Sequence, residues 1–152
     1  MSERSTQHAT FVIERHYDAP PPRVFAAFAT PEAKGRWFAG PNEWIEKDRA
    51  FDFRVGGRER LVGTWPGGRL SAFDARYFDI VPNQRIVYAY EMHIDGTKIS
   101  VSLATVEFEA AGAGTRLTIT EQGAFLDGYD DAGSRERGTR ELLNNLERAL
   151  RP

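Results

Sequence analysis

The stretch Asp18-Ala19-Pro20-Pro21-Pro22-Arg23-Val24-Phe25-Ala26-Ala27-Phe28-Ala29-Thr30-Pro31-Glu32 decides how the chain is read. Consecutive prolines cannot donate to a sheet ladder, so they end the β-branched and aromatic run from Thr10 to Tyr17, Thr-Phe-Val-Ile-Glu-Arg-His-Tyr. Proline also suits the first turn of a helix, and Val24, Phe25 and Phe28 then share one helical face. Thr30-Pro31-Glu32 repeats the device, with a capping hydroxyl, Pro at the first helical position and an early acid. It predicts a second short helix that ends by Trp37-Phe38, ahead of Gly40-Pro41. Two short helices therefore interrupt a chain that is β on either side.

From Pro41 to about Gly123 the pattern is that of an antiparallel meander. Trp44-Ile45 is a short piece, and Phe51, Phe53 and Val55 alternate with Asp52 and Arg54 as a half-buried strand that turns or bulges at Gly56-Gly57. Arg58 to Trp65 and Arg69 to Val81 flank Pro66-Gly67-Gly68, and Pro82-Asn83 turns the chain again. Arg85 to His93, with Ile86, Tyr88, Tyr90 and Met92 on one side, meets Lys98 to Glu109 through Asp95-Gly96, the strongest short hairpin signal in the chain. Gly112-Ala113-Gly114 leads to Thr115 to Glu121, which completes about seven strands.

Past Gly128 the period becomes helical. Leu142, Leu143, Leu146, Ala149 and Leu150 make an apolar stripe, with Arg135, Glu136, Arg140, Glu141, Glu147 and Arg148 expected to face out and Asp130 or Asp131 expected to cap. Gly138 near the middle costs about 1 kcal/mol relative to Ala, which implies a close backbone approach or a small opening. A curved sheet can wrap such a helix, and the space between them becomes an apolar pocket unless side chains fill it.

The chain has 152 residues, enough for one ordinary domain with a real core. We expect a frayed start over residues 1–8 and a single domain over residues 9–151. Lys+Arg 20 against Asp+Glu 22 gives a net charge of −2, which argues against a protein held to nucleic acid or to an anionic membrane by charge. With no Cys, disulfide scaffolds, thiolate nucleophiles and zinc ribbons drop out. A mean hydropathy of −0.49, no signal-like start and no bilayer-length apolar run lead us to expect a cytoplasmic protein without a membrane span. The apolar content is rich in rings: Phe 10, Tyr 5 and Trp 3.

The order of elements resembles the helix-grip fold of the START-like superfamily, also called SRPBCC or Bet v-like. The local resemblance, over roughly residues 10–150, is to the family named after the activator of the heat-shock-protein-90 ATPase. It is carried by Ala19 to Phe28, Thr30-Pro31-Glu32 and Trp37-Phe38. Val55-Gly56-Gly57, the run Tyr77-Phe78-Asp79-Ile80-Val81-Pro82-Asn83-Gln84-Arg85-Ile86-Val87-Tyr88, Thr105-Val106-Glu107-Phe108 and Gly114-Thr115-Arg116-Leu117-Thr118-Ile119-Thr120 continue it. The resemblance implies an α+β fold of order β-α-α-β(6)-α, a curved antiparallel sheet wrapped around a long C-terminal helix. Many members have Gly-Trp where this chain has Gly138-Thr139, a change that leaves room beside the helix. In the eukaryotic activator such a domain follows a separate chaperone-binding domain. This chain has no residues to spare for one, and chaperone activation is not expected of it.

Catalytic and metal signatures are sparse. Gly-x-Ser-x-Gly, the phosphate-cradling glycine loop and His-Glu-x-x-His are absent, and His8, His16 and His93 lack a common helical spacing, so we expect neither metal nor cofactor. Asp127, Asp130 and Asp131 lack the spacing of a calcium loop and read as caps. Arg54, Arg58, Arg60 and Arg69 gather on one hairpin, either as an anion clamp or, the favoured reading, as a solvated edge that discourages strand pairing. Asp74, Arg76, Glu91 and His93, with Arg54, are the polar groups that would form an acid–base set if they faced a closed pocket; surface placement is the simpler alternative.

Trp37, Phe53, Trp65, Phe73, Tyr77, Tyr88 and Tyr90, with Leu142 and Leu146 of the helix, are the candidate cavity residues, the alternative being that they fill the core. Residues 69–81 carry apolar side chains in both parities, Phe78 and Ile80 against Phe73 and Tyr77, so the inward face is open at this stage. Three functions follow in order: a binder of a small apolar or aromatic molecule, a cyclase- or hydratase-type enzyme, and a chaperone-linked interaction module. A homodimer is compatible with each.

Overall fold

The computed structural model describes residues 3–41 and 43–151. Its elements are β1 (Thr6–Tyr17), α1 (Pro21–Ala29), α2 (Pro31–Gly35), β2 (Ile45–Phe51), β3 (Arg58–Thr64), β4 (Leu70–Val81), β5 (Arg85–Ile94), β6 (Thr97–Ala111), β7 (Gly114–Leu126) and α3 (Ala132–Leu150). The strands form one 7-stranded sheet in the order β1-β7-β6-β5-β4-β3-β2. Every ladder is antiparallel, so β1 crosses over to pair with the last strand while the rest meander. This is the helix-grip α+β fold, with α3 against the concave face. No described helix is long and apolar enough to cross a membrane.

The helices form where the punctuation places them. Pro20 precedes α1, whose Val24, Phe25, Ala27 and Phe28 are buried, and the Thr30 hydroxyl accepts from Ala33 N at 3.1 Å to start α2. Asp131 caps α3, accepting from Ser134 N at 2.8 Å. Leu143 and Leu146 are its buried anchors, each contributing on the order of 1.5–3 kcal/mol by transfer from water. The Tyr17 hydroxyl donates to the Leu143 carbonyl at 3.0 Å and ties β1 to the helix.

The structure corrects the sequence reading in two places. Thr6, Gln7 and His8, expected to fray, pair with Leu126, Phe125 and Ala124, because ladder pairing needs backbone partners rather than apolar side chains. Met1 and Ser2 of that frayed start lie outside the described residues. Phe53 and Val55 are not in a strand: β2 ends at Phe51 and residues 52–57 turn back, with Gly56 at φ 83 and a Cβ on Gly57 falling 2.1 Å from the Asp52 carbonyl oxygen. Alternation through Phe51, Phe53 and Val55 therefore mimicked a strand.

The two-parity pattern in β4 resolves as a bulge. Phe73, Ala75 and Tyr77 face the core, and the register shift between Tyr77 and Asp79 leaves Phe78 outside, 55% exposed, while returning Ile80 to the core side.

Candidate functional site

Between the sheet, the segment after α2, and α3 lies a hollow of about 700 Å³. Its wall is mostly rings and aliphatic chains: Phe28, Trp37, Phe38 and Trp44 from the α1–β2 region, Phe73, Tyr88, Tyr90 and Met92 from β4 and β5, and Leu142 and Leu143 from α3. All three tryptophans, Trp37, Trp44 and Trp65, contribute to it. Two of them are fixed by their indole N–H groups: Trp37 donates to the Ala27 carbonyl at 2.9 Å and Trp44 to the Ser71 hydroxyl at 3.1 Å. Gly138 borders this space, and nothing lies within 4 Å of where its Cβ would be, so no close backbone approach requires the glycine.

Two buried polar clusters stand against these rings. In the first, Lys34 Nζ lies 2.8 Å from Glu59 Oε1, both side chains being almost fully enclosed, and the Tyr77 hydroxyl donates to the same oxygen at 2.5 Å. The ammonium sits 4.5 Å from the Phe38 ring centroid, 5.5 Å from Phe51 and 5.6 Å from Trp37. An aromatic cage thus replaces the hydration that the charge loses. Burial and the Glu59 carboxylate push the Tyr77 hydroxyl far above the ordinary phenol range, so it remains a donor.

The second cluster centres on Glu121, which is 4% exposed. The Tyr90 hydroxyl donates to Glu121 Oε1 at 2.5 Å and accepts from Arg135 Nη1 at 3.1 Å. Arg135 Nη2 also donates to the Ser100 hydroxyl at 2.8 Å and to Asp130 Oδ2 at 2.9 Å. Burial raises the Glu121 pKa above the usual carboxylate value, against the opposing pull of Tyr90 and Arg135. Burial likewise raises Tyr90 and Tyr88. A carboxyl of raised proton affinity, a phenol and a guanidinium in one line are acid–base groups in an enclosed setting.

The structure brings Trp37, Trp65, Phe73, Tyr88, Tyr90 and Leu142 to the hollow. Phe53, Tyr77 and Leu146 lie beside it in the core, Phe53 against Tyr77 with ring centroids 5.1 Å apart. The polar candidates stand elsewhere, in the surface placement that was the favoured alternative to an acid–base set. Arg54 pairs with Asp52 in the exposed turn at 2.8 Å, Asp74 accepts from Arg60 at 3.0 Å, and Glu91 pairs with Lys98 at 2.6 Å, with His93 beside it. Asp74, Arg76, Glu91 and His93 fall on the parity opposite Phe73 and Tyr90 and so face away from the hollow.

Sequence reasoning missed Lys34, Glu59, Glu121 and Arg135. Glu121 continues the inward parity of Leu117 and Ile119, and Glu59 shares that of Leu61, so both were legible from alternation. Arg135, expected to face out, falls four residues before Thr139 and on the same helical face as Leu142 and Leu146. Among the described residues, no group of three or more His, Cys, Asp or Glu side chains could hold a metal ion.

Solved structures reproduce this architecture. A Rhizobium leguminosarum protein is 54% identical and covers 98% of each chain with a TM-score of 0.94. The Mll3558 protein from Rhizobium loti is 48% identical, with a TM-score of 0.88 over 95% of this chain and 99% of that one. The AHSA1-like protein from Aeromonas hydrophila, at 21% identity, shares the fold with a TM-score of 0.71 over 93% and 92% of the two chains. No curated protein matches the chain. A family profile spans residues 18–151, and the chain belongs to the family described as Activator of Hsp90 ATPase homolog 1-like protein, in keeping with the START-like fold.

Proposed function

We propose that the protein binds a small apolar or aromatic molecule in the hollow between the sheet and α3. The observation that carries this reading is a space of about 700 Å³, walled by rings, that the chain leaves unfilled beside Gly138. Specific ligand sites are typically ~300–1,000 Å³, mostly apolar, with a few placed polar groups. A thermal-shift screen with aromatic and lipid-like compounds tests it: at 100 times its dissociation constant a ligand adds about 2.7 kcal/mol of stability. An unmoved melting temperature across such libraries counts against the proposal.

The Glu121–Tyr90–Arg135 line favours a second reading, an enzyme that moves a proton at the wall of the same space. Under that reading a bound compound is converted and returned as product. Incubation followed by mass spectrometry separates the two, since a binder returns its ligand unchanged.

A further inference from the structure

The wall of the hollow is unevenly satisfied, and the imbalance specifies the ligand's head group. This inference rests on the reading of the hollow as a ligand site. Both enclosed cations on its wall are already engaged. Lys34 Nζ is held by Glu59 at 2.8 Å within its aromatic cage, and Arg135 is committed to Asp130, Ser100 and Tyr90 at 2.9, 2.8 and 3.1 Å. Arg148, also on the wall, is exposed and donates to Asn145 Oδ1.

The acceptor side differs. Glu121 Oε1 takes the Tyr90 proton at 2.5 Å, whereas the nearest donor to Oε2 is the Thr139 hydroxyl at 3.4 Å. That hydroxyl has a single proton, and the Arg135 carbonyl is the better acceptor for it at 3.0 Å. A contact of 3.4 Å is beyond the ordinary O–H···O range of about 2.5–3.0 Å. Glu121 Oε2 is therefore a carboxylate oxygen of a buried wall residue whose one side-chain hydrogen bond is the long one from Thr139. A weakly satisfied buried acceptor gains from a better donor, which a ligand can supply.

We propose that the hollow takes an uncharged, ring-bearing molecule whose hydroxyl hydrogen-bonds Glu121 Oε2. An anionic head group meets Glu121, Asp130 and Glu141 on the wall with no free enclosed cation to receive it. A cationic one meets the Arg135 guanidinium, which flanks the same carboxyl through Tyr90. A hydroxyl donates to the ionised carboxylate and accepts from the protonated carboxyl, so it fits Glu121 in either state. The aromatic wall supplies ring contacts for the remainder.

Isothermal titration of the whole chain with 1-naphthol, naphthalene and 1-naphthoate tests the assignment. A hydrogen bond to a charged group predicts that 1-naphthol binds about 10-fold or more tighter than naphthalene, and tighter than 1-naphthoate. Glu121→Leu is expected to erase the preference for 1-naphthol over naphthalene. Where that variant does not fold, the isosteric Glu121→Gln serves: its amide can donate to an anion, so 1-naphthoate gains on 1-naphthol. Equal binding of 1-naphthol and naphthalene by the unaltered chain overturns the hydroxyl assignment and leaves the apolar-ligand reading standing. So does a naphthol preference that survives in Glu121→Leu. Tightest binding by 1-naphthoate overturns it in favour of an anionic head group. Absence of saturable binding by all three probes removes the ligand-site reading together with this inference.

Discussion

Replacing Lys34 by Met removes one partner of a pair whose side chains are 5% and 2% exposed, and the loss falls on Glu59. The carboxylate would then stay enclosed with the Tyr77 hydroxyl as its main support. Breaking a buried pair from one side typically costs about 3–5 kcal/mol, because an uncompensated charge remains, whereas an exposed pair costs ~0–1 kcal/mol. For a domain of this length each kcal/mol moves the melting temperature by roughly 2–4 °C, so Lys34→Met should melt ~6–20 °C lower. Urea and thermal denaturation followed by circular dichroism measure both quantities. In the double variant Lys34→Met/Glu59→Gln no charge is stranded, and the side-chain amide oxygen introduced at position 59 can still accept from Tyr77. It should recover to within about 1–2 kcal/mol of the parent, a strongly non-additive cycle. A single-variant cost below about 1 kcal/mol, or two costs that simply add, would refute the account of an enclosed, caged ion pair.

Other perturbations test other parts of the structure. Because burial raises the folded-state pKa of Glu121 above the ordinary carboxylate value of 4.5, the native state holds the extra proton. Its contribution to stability is therefore present below the unfolded pKa and lost as pH rises through the folded one. Glu121→Gln should accordingly gain stability relative to the parent as pH rises from the ordinary carboxylate range toward neutrality in urea titrations, and an unchanged difference would contradict the burial argument. Gly138→Ala meets open space in mid-helix and should stabilise by about 0.5–1 kcal/mol while weakening binding of bulky ligands. Gly57→Ala places a Cβ 2.1 Å from the Asp52 carbonyl oxygen and should cost about 2 kcal/mol or more, read from the shift in urea midpoint.

Element order was legible because proline and glycine punctuate this chain at its turns: the prolines that open α1 and α2, Pro66-Gly67-Gly68, Asp95-Gly96 and Gly112 all mark boundaries that the structure keeps. Facing was harder. In β5 a clean alternation placed Tyr88 and Tyr90 inward. In β4 the bulge at Tyr77/Asp79 switched parity within the strand, and only pairing with β5 reveals it. The polar side chains resisted most, for a physical reason. A charged residue is assigned to the surface by default, and Lys34, Glu59, Glu121 and Arg135 escape that rule only because each finds a partner supplied by a distant segment. Lys34 and Glu59 are 25 residues apart, and Glu121 and Tyr90 are 31 apart. Alternation places Glu59 and Glu121 on the inward face, but composition and local spacing do not encode the partners they meet there.

The central claim is that the hollow beneath α3 receives a small ring-bearing molecule. The three tryptophans all line it, which makes their indole N–H groups resident reporters. Titration of the nitrogen-15-labelled protein with 1-naphthol, followed by heteronuclear NMR, should produce saturable shifts of the Trp37, Trp44 and Trp65 indole signals together with the Tyr90, Gly138 and Thr139 amides. Shifts confined to outward-facing positions such as Arg76, Glu91 and Val101, or indole signals that stay fixed as 1-naphthol is raised, would contradict the claim.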